Sequence, residues 1–163
     1  MLLADTFFLR PWQKNDARWY VESRDEEVFK WTNERRGLTV EEAEHCIMEA
    51  NSDPGVICFA IVAKNNMELL GNIALTFQDH DRRIAEIMYW LSPGGRRRGM
   101  ATGSVKLLCQ WAFDTLGVQK INLKVHKDNI PSQLVAKGAG FQERTTYANS
   151  IDENYVWFTL TCI

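Results

Sequence analysis

Short apolar runs alternate along this chain with longer segments in which apolar residues recur every three or four positions. The short runs have the length and composition of β-strands, and the longer segments have the period of amphipathic helices. The predicted strands are Thr6–Trp12, Val56–Lys64, Leu69–Gln78, Ile84–Leu91, Lys120–His126, Phe141–Tyr147 and Tyr155–Cys162. The order strand, helices, three-stranded meander, helix, strand, helix and two strands predicts a mixed α/β fold.

Capping residues locate the predicted helices. Thr39 followed by Glu42 is a capping box, in which each residue's side chain satisfies the other's backbone amide. The predicted helices run from Asn15 or Asp16 to about Ser23, from Asp25 to Trp31, from Thr39 to about Ala50, from the loop after Ser92 to about Leu116, and from Asn129 to Ala139.

The composition is that of a globular domain. Of the 163 residues, 45% are hydrophobic and 25% charged, and the net charge is −2 with a pI near 5.9. We therefore expect residues 1–163 to form one domain. The acidic balance argues against a general nucleic-acid-binding protein, in which basic residues would dominate.

The cysteines and the N-terminus predict a cytoplasmic protein. Cys46, Cys58, Cys109 and Cys162 are scattered, with no Cys-x-x-Cys pair and no histidine at ligand spacing, so we expect reduced thiols and no metal site. The chain starts without a signal-peptide pattern, and no segment approaches the roughly 20 apolar residues of a membrane span.

The segment Ser92–Thr102, SPGGRRRGMAT, joins a predicted strand to a predicted helix and has the character of a phosphate-binding loop. The first amides of a helix have no intrahelical partner and lie at the positive end of its dipole. Gly99 would let a ligand approach the backbone closely. Arg96, Arg97 and Arg98 add charge, and we expect at least one of them to contact a phosphate, although they could simply be solvated. The loop matches neither a nucleoside-triphosphate loop nor Gly-x-Gly-x-x-Gly, which favours a different pyrophosphate ligand.

A second motif and its position in the chain indicate a family. Asp128-Asn129-Ile130-Pro131-Ser132 follows a strand and opens a helix that Gly140-Phe141 closes. Together with Ala85–Pro93 and the Arg96-x-x-Gly99-x-Ala101 loop, this arrangement resembles the GNAT superfamily of acyl-CoA-dependent N-acetyltransferases, in particular the ribosomal-protein N-terminal acetyltransferases. The resemblance covers nearly the whole chain, from Phe8-Leu9-Arg10-Pro11 to the last strand.

The resemblance implies a twisted mixed sheet of about seven strands, flanked by helices, in which strands Ile84–Leu91 and Lys120–His126 splay apart. Pantetheine would lie in the gap and pair with the backbone of Tyr89, Trp90 and Leu91. Asn129 would hydrogen-bond the pantetheine arm, with Ser132 near the sulfur. The pyrophosphate would bind the amides of Arg96, Arg97, Arg98, Gly99, Met100, Ala101 and Thr102.

The resemblance also suggests the proton donor to the leaving thiolate. Many members place a tyrosine four residues after the serine or alanine of the Asn-x-x-Ser/Ala motif, but this chain has Ala136 there. In the branch that it resembles, the motif serine serves instead, which indicates Ser132. A local hydrogen bond in the first helical turn is the alternative role for Ser132.

Acetyl transfer to an amine also needs a base, because an ammonium has no lone pair. Glu86 is the favoured base, since it lies on the strand that should border the acceptor cleft; it could instead pair with Arg82 or Arg83. His126, just past the other splayed strand, is the alternative base, and His80 is a weaker one.

The expected reaction is direct attack of a primary amine on acetyl-CoA in a ternary complex, without a metal. The acceptor could be a protein N-terminus, a polyamine, an aminoglycoside or an amino sugar, selected by Asp25–Ala50, Asp79–Asp81 and Thr146–Asn154. A non-catalytic acyl-CoA-binding sensor or regulatory module is the alternative function. A homodimer stays open, and no membrane partner is expected.

Overall fold

A computed structural model of the chain describes residues 1–144 and 153–162. The strands are β1 (Leu2–Leu3), β2 (Phe7–Pro11), β3 (Val56–Ala63), β4 (Leu69–Phe77), β5 (Ile84–Leu91), β6 (Lys120–His126), β7 (Gln142–Arg144) and β8 (Tyr155–Thr161). The helices are α1 (Ala17–Glu22), α2 (Glu26–Trp31), α3 (Val40–Ser52), α4 (Met100–Leu116) and α5 (Ile130–Gly138). None of the helices in this described part combines the length and apolar character needed to cross a bilayer.

The strands form one sheet in the order β1-β2-β3-β4-β5-β6-β8-β7. The neighbouring pairs are antiparallel, except that β5 and β6 are parallel. The mixed α/β class is confirmed, and the described residues form eight strands where about seven were expected. The additional strand, β1, is only two residues long, too short for a hydrophobic period to reveal it.

The predicted element boundaries agree closely with the structure where local signals are strong. Strands β5 and β6 have the predicted bounds, and the Thr39–Glu42 capping box is formed at the start of α3. Asp25 caps α2 by accepting a hydrogen bond from the Val28 amide. The predicted strand Phe141–Tyr147 and the predicted acceptor loop Thr146–Asn154 lie in part outside the described residues.

Asp16 departs from its predicted role as a helix-capping side chain. It occupies the N-cap of α1, but its side chain makes no capping bond there. Its carboxylate instead accepts two hydrogen bonds from Arg10, at 2.6 and 2.9 Å, and one from the Gln13 amide. A charged guanidinium makes stronger hydrogen bonds than a backbone amide, so the ion pair determines the rotamer.

The two faces of the sheet carry separate hydrophobic clusters. Helix α4 packs on one face, where Val105 and Leu108 join Ile87, Ile121 and Phe158. Helices α1 and α3 cover the other face over β2 and β3, with Trp12 and Ile47 among the buried side chains. Because successive strand residues point to opposite faces, Ala85, Ile87 and Tyr89 face the α4 side and Glu86, Met88 and Trp90 face the α1–α3 side.

Candidate active site

The centre of the sheet opens between β5 and β6. The two strands pair only at Ile84–Lys120, Ala85–Ile121 and Glu86–Asn122. Beyond Glu86, β5 remains paired with β4 on one edge, but among the described residues nothing pairs with its other edge. This is the splay that the resemblance implied, and it leaves backbone donors and acceptors of Ile87–Leu91 available to an extended ligand.

The loop after β5 connects the splayed end of this strand to the start of α4. Ser92 anchors it, because its amide and its hydroxyl both donate to the Leu70 carbonyl, at 2.9 and 3.1 Å. Gly95 lies so close to β4 that a Cβ there would come within 2.6 Å of the same carbonyl oxygen. The loop is therefore held against the sheet where the splay opens.

The first turn of α4 presents free amides. The helix begins at Met100, and its first helical bond runs from the Gly103 amide to the Gly99 carbonyl, at 3.0 Å. The amides of Met100, Ala101 and Thr102 therefore have no partner within the helix. Gly99 and Arg97 both have left-handed backbone, with φ of 73° and 57°, and no protein atom lies within 4 Å of where a Gly99 Cβ would stand. Left-handed residues in a turn help to direct neighbouring amides toward one point, which suits an anion.

The three arginines of the loop have different environments. Arg96 donates two hydrogen bonds to Asp25 at the start of α2, at 2.7 and 2.6 Å. Arg98 donates to the Gly94 carbonyl, at 3.1 Å. Arg97 is exposed and makes no ion pair within the described residues. The Arg96 charge is thus largely balanced by Asp25, which leaves Arg97 as the guanidinium most available to a phosphate.

The start of α5 brings Asn129 and Ser132 to the same opening. The Asn129 side-chain oxygen caps the helix by accepting from the Ser132 amide, at 3.2 Å. The Ser132 hydroxyl does not make the local bond considered as its alternative role. Its Oγ lies 2.7 Å from the Oη of Tyr89 on β5.

The contact of the Tyr89 hydroxyl with Ser132 was not predicted from the sequence. Burial raises the pKa of its phenol to about 12, partly offset by the Ser132 hydrogen bond. Strand alternation predicts only that the Tyr89 side chain lies on the face that α4 and α5 cover. Ala136, where the family tyrosine is missing, is fully buried in the core of that face.

Glu86 lies at the last paired position before the splay and faces the α1–α3 side. Burial raises the pKa of its carboxyl above the ordinary value of 4.5, with the positive charge of Lys124 partly offsetting the rise. The alternative pairing with Arg82 or Arg83 is absent from the described residues, and the Arg82 guanidinium stacks over Phe77, 4.0 Å from the ring centre. A carboxylate with a raised pKa and no bound arginine can accept a proton.

The two histidines considered as bases are less available. His126 lies between Trp31 and Tyr155, with ring centres 5.4 and 5.3 Å away. Its Nδ1 accepts a hydrogen bond from the Asp128 amide, at 3.2 Å, so the basic lone pair of the neutral ring is already engaged. His80 is exposed in the turn between β4 and β5. Within residues 1–144 and 153–162, no group of three or more His, Cys, Asp or Glu side chains could hold a metal ion.

A polar network on the α1–α3 side ties the loop after α2 to β5. The Glu34 carboxylate accepts from the Tyr20 hydroxyl, Arg24 and the Trp90 indole, at 2.6, 3.0 and 3.0 Å. Burial and the Glu34 charge raise the pKa of Tyr20, so its phenol stays a donor. Beside this network lies a cavity of about 260 Å³ whose wall includes Met88 of β5. Sequence reasoning missed the network because its members are far apart in the chain.

The acidic side chains of α1, of α2 and of the residues that flank α2 could attract a cationic acceptor, but most of them are paired with arginines. Besides Asp25 and Glu34, Glu26 accepts two hydrogen bonds from Arg36, at 2.6 and 2.9 Å, and Glu22 pairs with Arg18. The charges of α1 and α2 therefore give little reason to expect a polycationic acceptor.

Comparisons with known proteins agree with this geometry. A family model described as the acetyltransferase (GNAT) domain matches residues 6–142. The N-acetyltransferase 9-like protein of Caenorhabditis briggsae is 25% identical over 164 residues, covering 93% of this chain and 82% of the relative.

Two solved structures from Vibrio cholerae share the fold. One, provisionally assigned as a ribosomal-protein-serine acetyltransferase, has a TM-score of 0.79 at 19% identity and covers 99% of this chain and 97% of its own. The other, a spermidine N-acetyltransferase in complex with CoA and spermine, has a TM-score of 0.81 at 18% identity and covers 96% and 95%. The family match extends over most of the chain and includes both the splayed strands and the loop after β5, so the chain belongs to the GNAT family of acetyl-CoA-dependent N-acetyltransferases.

Proposed function

We propose that this protein transfers the acetyl group of acetyl-CoA to a primary amine by direct attack in a ternary complex. The observation that carries the proposal is the parting of β5 and β6 after Glu86, which opens a channel toward the free amides of α4. Tyr89 and Ser132 lie on one face of the sheet at this channel, and Glu86 lies on the other. An extended thioester and an amine could therefore meet there from opposite sides.

The cosubstrate would be held mainly by backbone groups. Pantetheine would pair with the free edge of β5 at Tyr89, Trp90 and Leu91, as an added strand does. The pyrophosphate would accept hydrogen bonds from the amides between Arg97 and Thr102, with the Arg97 guanidinium beside it. We expect the Arg96 amide to contribute less, because it already donates to the Pro93 carbonyl, at 3.4 Å.

The amine must lose a proton before it can attack, and we assign this step to Glu86. A lysine-like amine has a reference pKa of about 10.4 and is mostly charged at neutral pH. Glu86, with a pKa raised by burial, can take that proton directly or through water. The amine nitrogen then forms the C–N bond, the C–S bond breaks, and Ser132 donates toward the departing sulfur.

Asn129 would bind the pantetheine arm through its side-chain amide nitrogen, because its oxygen already caps α5. We propose residues 1–163 as one acetyltransferase domain, since every strand in residues 1–144 and 153–162 belongs to a single sheet. The cytoplasmic location stays a prediction, supported by four free cysteines.

An acceptor screen tests the proposed function. Protein with acetyl-CoA is incubated with N-terminal peptides, polyamines, aminoglycosides and amino sugars, and products are identified by mass spectrometry while free thiol is measured. The expected result is release of one thiol for each acetyl group found on an amine. Tight acetyl-CoA binding without transfer to any acceptor would instead support a non-catalytic acyl-CoA-binding module.

A further inference from the structure

The contact between Tyr89 and Ser132 joins two elements that border the channel. Tyr89 lies on the part of β5 that does not pair with β6, and Ser132 lies in the first turn of α5, 43 residues later. Their side-chain oxygens are 2.7 Å apart. The Tyr89 ring packs against the core beneath α4, which restricts its position. The distance is typical of an O–H···O hydrogen bond.

The direction of this hydrogen bond decides which hydroxyl proton is left for the channel. Each has one proton and can also accept, so the bond could form in either direction. Because burial raises the pKa of Tyr89 to about 12, its phenol keeps its proton throughout the physiological range. When the phenol donates to Ser132 Oγ, the serine proton is left for another acceptor.

We propose that Tyr89 is a positioning residue for acetyl transfer: its phenol donates to Ser132 Oγ and thereby directs the serine hydroxyl proton at the thioester sulfur. This inference rests on the proposed function. A serine without this neighbour would rotate its hydroxyl among several acceptors. Donation from Tyr89 also polarises the serine hydroxyl, which strengthens its own donated bond.

The step balances without a proton leaving Tyr89. The amine lone pair forms the C–N bond, and the C–S bond breaks with its electron pair remaining on sulfur. Sulfur leaves as a thiolate that accepts the Ser132 hydrogen bond, and water later protonates it. The amine gives up two protons: Glu86 or water takes the one lost before attack, and water takes the second from the nitrogen as the amide forms. A thiolate whose thiol has a pKa near the cysteine reference of about 8.5 cannot readily deprotonate a phenol with a pKa of about 12.

A double-mutant cycle tests the proposal, with the acceptor identified in the screen and chemistry limiting the rate. Tyr89→Phe keeps the ring and removes the hydroxyl, and we expect it to lower kcat by about 3- to 10-fold, as the loss of one hydrogen bond predicts. The KM for acetyl-CoA should be unchanged. In a Ser132→Ala background the same substitution should have no further effect on kcat, because the group that it positions is gone.

Tyr20→Phe is the matched control. It also removes a shielded phenol hydroxyl, but one whose contact is Glu34 on the opposite face. Whatever factor Tyr20→Phe changes kcat by in the wild-type protein, it should change kcat by the same factor in the Ser132→Ala background. Melting temperatures of all variants report any loss of folding.

Three results would overturn the proposal. Tyr89→Phe could leave both kcat and the KM for acetyl-CoA at their wild-type values, or it could lower kcat by the same factor with and without Ser132. It could also lower the KM for acetyl-CoA while keeping kcat, which would make the Tyr89–Ser132 bond a latch across the channel. Wild-type protein that releases no thiol with any amine would refute the proposed function itself, a result distinct from these three.

Discussion

Substitutions at Gly99 and Gly117 distinguish the loss of a pyrophosphate site from the loss of stability caused by backbone strain. The two glycines flank the same helix, α4, with φ of 73° and 72°, and neither would place a Cβ within 4 Å of another protein atom. Replacement of either by valine therefore imposes the same backbone penalty without a clash inside the protein. Only Gly99 lies at the end that presents free amides.

The strain should lower stability equally in both variants. A left-handed conformation costs a residue with a Cβ about 1–2 kcal/mol. At about 2–4 °C per kcal/mol for a domain of this size, each variant should melt roughly 2–8 °C below wild type. The extra cost of β-branching is common to both.

Ligand binding should distinguish the two variants. Acetyl-CoA at about 100 times its Kd stabilises a protein by about 2.7 kcal/mol, which raises the Tm by roughly 5–11 °C. Gly117→Val should keep this rise. Gly99→Val should lose it, because the valine side chain would occupy the space in which a phosphate approaches the backbone.

Thermal unfolding with and without acetyl-CoA, followed by isothermal calorimetry, measures both effects. Folded Gly99→Val protein that binds CoA as tightly as Gly117→Val protein would refute the pyrophosphate site at α4. Equal loss of binding in the two variants would show that distortion of the helix, and not its N-terminal end, is responsible.

Other predictions concern Glu86 and Asp25. Glu86→Gln should lower kcat/KM most near neutral pH and be partly rescued at higher pH, where more acceptor is already deprotonated; a pH–rate profile that overlays wild type would refute the base assignment and favour His126. Burial raises the pKa of Glu86 in the folded protein above its ordinary value of 4.5. Between 4.5 and the raised pKa, the native state therefore binds more protons than the unfolded state. Wild-type stability consequently falls as pH rises through this interval. Denaturant unfolding across pH should show Glu86→Gln without this decline, and an identical pH dependence would contradict it. Asp25 has its pKa lowered mainly by the Arg96 hydrogen bonds, so the pair stabilises above the ordinary value of 3.8 and is lost as pH falls through the lowered pKa. The Asp25→Asn side chain can still cap α2, so the substitution removes only the ion pair. Because that pair is about one-third exposed, the free energy of unfolding should fall by no more than about 1 kcal/mol at neutral pH, and by less at high salt. A larger, salt-independent loss of stability would indicate a different role for Asp25.

Local sequence determined most of the fold. The bounds of β5 and β6, the capping box of α3 and the cap of α2 depend on residues within a few positions of one another. Hydrophobic period and capping chemistry act over that range, so the chain alone predicts them. The order of these elements and two motifs were also sufficient to indicate the family.

The tertiary structure decided how individual polar groups are used. Arg96 meets Asp25 across 71 residues, Tyr89 meets Ser132 across 43, and Trp90 meets Glu34 across 56. Each contact occupies or orients a side chain in a way that the sequence did not predict, and each needs the sheet and helices in place before the partners can meet. Residue type and spacing therefore indicated the family, and that resemblance implied the channel and its backbone groups. Long-range packing determined which side chains are already engaged beside the channel.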